Sequence, residues 1–128
     1  MKKYFLSVPL FIAASLFIIS CKKNGTGGEA VVTASVKHHD KNIYGATVYL
    51  KFNAKEMPSD PAVNYDLKLT ADSAGEHVHF KGLLYGNYYL YGRGYDSSIA
   101  QTVSGGIPLK IKWSERKQEI EVTVPVTE

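Results

Sequence analysis

Two histidines, His77 and His79, stand two residues apart in an alternating segment. On a β-strand, residues i and i+2 share a face, so both imidazoles point the same way. Two neighbouring imidazoles suit zinc or copper, provided further ligands complete the set. Glu76 points to the opposite face. His38 and His39 belong to a polar turn, His38-His39-Asp40-Lys41-Asn42, and the sequence does not fix whether they approach the pair. Without more ligands the pair reads as solvent-facing, and no resident cofactor or metal is expected.

The second concentration is aromatic. Tyr85, Tyr88, Tyr89, Tyr91 and Tyr95 fall within eleven residues. Tyr88 alternates in phase with Leu90 and is expected in the core. Tyr89 and Tyr91 take the opposite phase, and Tyr49 is in the outward phase of its own segment. Exposed tyrosines give stiff, amphipathic contact area, so Tyr49, Tyr89 and Tyr91 form a candidate binding face for a protein or a glycan. Tyrosine is also favoured in strands for packing alone. No nucleophile elbow or HExxH motif occurs, and the spacing of Ser, His and Asp nominates no triad. Gly92-Arg93-Gly94 lacks the third glycine and the helix of a phosphate loop. These patterns point to a binding module, not an enzyme.

The elements that position these residues begin after a leader. The chain has 128 residues, a formal charge of +3 and one cysteine. Two of the positive charges are Lys2 and Lys3, so the remainder is near neutral, which argues against nucleic acid as a partner. A lone cysteine forms no intramolecular disulfide and no cysteine-based zinc cluster. Residues 4–19 are largely apolar, shorter than the roughly 20 that cross a bilayer core as a helix. With the basic head they have the layout of an export signal.

Ile18-Ile19-Ser20-Cys21 closes that segment with an aliphatic residue, a small residue and cysteine. This resembles the bacterial lipoprotein signal, whose cysteine receives diacylglycerol before cleavage. The resemblance implies that Cys21 is the lipid anchor, and two or three acyl chains hold durably where one does not. Lys22 stands where inner-membrane retention signals place Asp, which by the same resemblance implies the outer membrane. The expected organisation is a signal peptide over 1–20, a lipidated cysteine and flexible Gly-rich tether over 21–30, and one domain over 31–128.

From Ala30 onward no helical period of useful length appears. Short alternating segments follow one another, among them Val32/Ala34/Val36, Ala46/Val48/Leu50/Phe52, Val78/Phe80, Tyr88/Leu90, Leu109/Ile111/Trp113 and Ile120/Val122/Val124/Val126. Turn residues recur between them. Pro58 and Pro61 bracket a loop. Ile99 to Val103 reads as a separate weaker strand, and Ser114-Glu115-Arg116-Lys117 as a hairpin turn between the last two strands. Pro125 requires its strand to lie at an edge or carry a bulge. Seven or eight short strands predict an all-β, antiparallel two-sheet sandwich.

Three segments carry a further resemblance: Asn42-Ile43-Tyr44-Gly45-Ala46-Thr47-Val48-Tyr49-Leu50, then Thr70 to Gly75 with Val78 to Leu83, then Leu84-Tyr85-Gly86-Asn87-Tyr88-Tyr89-Leu90. In order and spacing they resemble carboxypeptidase-regulatory-like domains, with one extra residue between Gly75 and Val78 that suggests a bulge. The resemblance implies a seven-stranded transthyretin-like (prealbumin-like) sandwich with structural, not chemical, motif residues. Ureide hydrolases of that fold end in Tyr-Arg-Gly-Ser, which this chain lacks. Adhesin domains of similar fold crosslink Lys to an Asn on the last strand, and residues 118–128 contain no Asn. The combined expectation is a membrane-moored interaction module for an envelope protein or glycan, with a purely structural accessory as the alternative and a His-based metal protein behind both.

Overall fold

The computed structural model describes residues 23–128. Cys21 and the leader lie outside the described residues. Eight strands follow: β1 (Thr26–His38), β2 (Lys41–Asn42), β3 (Thr47–Phe52), β4 (Leu67–Thr70), β5 (His77–Leu83), β6 (Gly86–Asp96), β7 (Gln101–Ile111) and β8 (Glu119–Val126), with a 3₁₀ turn at Trp113–Glu115 before the last. They form two four-stranded sheets. In the first, β1 is central, with β5 and then β2 antiparallel along one side and β8 along the other. The second has the order β4-β3-β6-β7, antiparallel throughout. Past β8, Thr127 pairs with Ser104 of β7 and joins the two sheets at one corner.

Alternation explains the core. Val32, Ala34 and Val36 of β1, Val78 and Phe80 of β5, and Val124 and Val126 of β8 are buried against Val48 and Leu50 of β3 and Tyr88 and Leu90 of β6. Each fully buried aliphatic side chain contributes about 1.5–3 kcal/mol. The inward row of β6 shrinks along its length, from Tyr88 and Leu90 to Gly92. A Cβ on Gly92 would lie 2.9 Å from a Val36 methyl, so glycine lets β1 approach there.

The sandwich is as expected, and several details differ. β8 pairs with β1 in parallel, over eight residues from Val31↔Glu119 to His38↔Val126, so the sheets are not purely antiparallel. The expected hairpin between the last two strands does not form. The 3₁₀ turn, held by the Lys112 N–H donating to Glu115 at 2.9 Å, carries the chain from one sheet to the other. Pro125 does sit in an edge strand. Ile99 to Val103 and Leu109 to Trp113 are not two strands: β7 runs unbroken from Gln101 to Ile111, and Trp113 leaves it.

Thr26 to Ala30, expected in the tether, belong to β1. A Cβ on Gly28 would lie 2.2 Å from the Leu83 carbonyl oxygen, so this glycine admits a close backbone crossing instead of loosening a linker. The bulge also moves. Pairing is regular from Ser35↔His77 to Val32↔Phe80, and the register shifts lie at Thr26, Ala30 and Val32 instead.

Candidate functional site

The tyrosine face forms, but it is roofed. Tyr49 of β3 lies opposite Tyr91 of β6, and Tyr89 follows on the same outer face. The Tyr49 ring contacts Tyr91 at 5.7 Å and Tyr65 at 5.1 Å. Pro58, Pro61, Asn64 and Tyr65, from the connection between β3 and β4, cover Tyr49, Tyr89 and Tyr91, and the space left is too small for a water molecule. Tyr89 is only 7% exposed, and burial pushes its phenol up from the ordinary range. The expected outward phase is correct, but the expected exposure of Tyr89 is not. Alternation fixes the face of a sheet and says nothing of what a long loop lays over it.

His77 and His79 do share the exposed outer face of the first sheet, with rings stacked 6.5 Å apart. His79 is engaged. The Thr33 hydroxyl donates to Glu119 at 2.8 Å and therefore accepts from His79 Nδ1 at 2.9 Å. This network ties β1, β5 and β8 together across the sheet. His38 cannot join the pair, because it continues the inward row of Val32, Ala34 and Val36 on the other face.

The arrangement that sequence reasoning missed lies where His38 points. Its side chain is 4% exposed, and Asp96 at the end of β6 is 3% exposed. His38 Nδ1 donates to Asp96 Oδ2 at 2.8 Å, and His38 Nε2 meets Glu128 Oε2 at 2.7 Å. The other Asp96 oxygen accepts from the Ser98 backbone N–H at 2.9 Å and the Ser98 hydroxyl at 2.6 Å, with Lys41 Nζ 3.8 Å away. Hydrogen bonds from Ser98 and His38 hold the Asp96 carboxyl far below the usual carboxylate range. The hydrogen bond to Asp96 raises the His38 imidazole against the opposing effect of burial, and Glu128 adds to the rise. Glu128 is itself lowered, first by a backbone hydrogen bond and then by His38.

His39 completes the cluster. Its ring packs 4.3 Å from that of His38, and one ligating atom each from His38, His39 and Glu128 lie within 4.8 Å of one another. Among the described residues this is the group of three that could hold a metal ion, and His77 and His79 are not part of it. A signal was present in the sequence. His38 is in phase with three core positions of β1, and Asp96 is in phase with Tyr88, Leu90 and Gly92 of β6. Two ionisable residues in core phase call for each other.

A third feature is concave. Thr26, Gly28, Leu83, Tyr85, Trp113 and Arg116 border an open groove near the start of β1. Trp113 is 58% exposed, packs edge-on against Tyr85 at 4.9 Å and carries the Arg116 guanidinium 4.1 Å above its ring.

No family model matches the chain, and no curated protein matches it. Among solved structures it is similar to a variant of BcpA, the major pilin subunit of Bacillus cereus, with a TM-score of 0.50 and 13% identity. The similarity covers 79% of this chain and 30% of the pilin chain, so the chain spans under a third of that subunit's length. At this identity the likeness is one of fold, a β-sandwich.

Proposed function

We propose that the chain is a non-catalytic structural module of the cell envelope, moored through acyl chains on Cys21 and held against a larger partner. The observation that carries this reading is the two-sheet sandwich itself, whose fold recurs within a pilin subunit. Fold alone does not select a function, so support for one of the two readings of the sequence is sought in the faces of the molecule. The chain's own proline loop lies over the tyrosine face, leaving Tyr49 and Tyr91 half-buried and Tyr89 with almost no surface for a ligand. That favours the structural accessory over a module recognising its partner through Tyr49, Tyr89 and Tyr91. The carboxypeptidase-regulatory-like resemblance belongs to the same proposal, since its motif residues shape backbone. The partner class is an envelope protein, and the compartment is the outer membrane.

Crosslinking in the native envelope, followed by identification of attached proteins, tests this. One stoichiometric envelope partner, retained in a Tyr91→Ser chain, supports the reading. A chain that stays monomeric and uncrosslinked overturns it. The anchor is tested separately. Cys21→Ser should release the protein from membranes, and unchanged retention overturns lipidation.

A further inference from the structure

We infer that His38, His39 and Glu128 form a binding site for one divalent transition-metal ion of the zinc class, oriented from behind by Asp96. The argument starts with hydrogen accounting. His38 donates its Nδ1–H to Asp96, so in the neutral imidazole the Nε2 lone pair is aimed at Glu128 Oε2, 2.7 Å away. Two such atoms at that distance are bridged by a proton, and a metal ion bonded at about 2.0–2.2 Å to each needs them to part by several tenths of an ångström. A proton is the minimal occupant, and it would need no third donor.

His39 is that third donor, and its position is bought at a local cost. Successive side chains on a strand point to opposite faces, so adjacent histidines should diverge. They do not, because His39 has φ +48°, a left-handed conformation in the short turn between β1 and β2. Glycine ordinarily fills such a position, and a side chain there is disfavoured. The result is a second imidazole 4.3 Å from the first, and among the described residues no hydrogen bond accounts for it.

The ligand chemistry is two imidazoles and one carboxylate, a set that suits zinc and copper. Ligands bound at about 2.0–2.2 Å must have their atoms within roughly 4.4 Å of each other. A small movement of the exposed His39 and Glu128 side chains draws in the spread of up to 4.8 Å and opens the 2.7 Å His38–Glu128 pair, while His38 stays fixed. The buried Asp96 supplies the carboxylate behind a ligating histidine that sets its tautomer and orientation. Ser98 and Lys41 hold its remaining oxygen. The outer side, formed by His39 and Glu128, is open, so water completes the shell.

The test uses the full chain in detergent, without a histidine tag, stripped with chelator and titrated calorimetrically with zinc chloride alone. The expected result is one equivalent of zinc bound, with affinity weakened at least about tenfold in His39→Gly and in Glu128→Gln. His39→Gly should also raise the thermal midpoint of the metal-free chain, because glycine accepts the left-handed turn. Weaker zinc binding in a more stable protein separates ligation from misfolding. The His77→Ala, His79→Ala double variant should bind zinc as the parent does. No zinc uptake by the parent chain, undiminished affinity in His39→Gly, or loss of binding in the His77/His79 variant would each overturn the inference.

Discussion

Two side-chain pins hold β6 at opposite ends of the sandwich, one to Gly25 just before β1 and one to the end of β1, and they differ in kind. The two strands belong to different sheets and run in the same direction, so their starts meet and their ends meet. At the starts, the Tyr88 hydroxyl accepts from the Gly25 N–H at 2.8 Å and donates to the Leu84 carbonyl at 2.6 Å. At the ends, about 27 Å along β6, His38 donates to Asp96. The first pin is neutral, and burial pushes its phenol further from titration. The second is ionic and is bordered by an open cluster of donors. One end is therefore insensitive to its surroundings and the other is responsive to them. Buried ion pairs are costly to break from one side and add little over apolar packing, so their presence asks for a reason that the tyrosine does not.

Four changes break or sharpen this contrast. The largest loss is expected from Asp96→Ala, which strands the buried His38 N–H and the Ser98 donors together. Its urea midpoint should fall further than that of Tyr88→Phe, and a smaller fall would mean that the ionic pin is not the stiffer of the two. Tyr88→Phe should cost about 1–2 kcal/mol, the range for removing one partner of buried backbone groups. That cost should be the same at about pH 5 and about pH 8, as no group in that pin changes charge between them.

The ionic pin should depend on pH, measured as the stability difference between the parent and Asp96→Ala with chelator present. His38 is raised above its ordinary 6.5, so its contribution is full below that value and is lost as pH rises through the folded pKa. Asp96 is lowered below its ordinary 3.8, so its contribution is full above that value and is lost as pH falls through the folded pKa. The difference should be greatest between those two ordinary values and should narrow on the alkaline side. Glu128 faces the same imidazole and adds to the trend, and the Lys41 ammonium lies 3.8 Å from Asp96. A flat profile would show that His38 does not change charge across this range. The smallest effect is expected from Lys41→Ala, within about 0.5 kcal/mol, because its ammonium is exposed and 3.8 Å from Asp96.

The legible part of the fold was the local part. The period of two in Val32/Ala34/Val36 and in Val78/Phe80 identified which side of each strand is dry, and the polar side carried His77 and His79 outward as expected. What escaped was decided by contacts between distant segments. His38 and Asp96 are 58 residues apart and His38 and Glu128 are 90 apart, so no motif joins them. The roof over Tyr89 comes from a loop whose prolines announce irregularity but not where it folds back. The glycines before Val31 look like a linker in composition, and only the carbonyl of Leu83 against Gly28 shows why they are there. His39 does lie in the turn that the polar run predicts, but only its φ of +48° brings it to His38.

The parallel pairing of β8 with β1 has a consequence for how the molecule comes into being. Val31 pairs with Glu119 and His38 with Val126, separations of 88 residues, near the longest that the described chain allows. Loops of that length close slowly, and strand pairs that depend on them are late events. A chain delivered amino terminus first therefore presents one bare flank of β1 until β8 has emerged. Completion is a single late zippering, and a product truncated before β8 would expose an adhesive seam along β1.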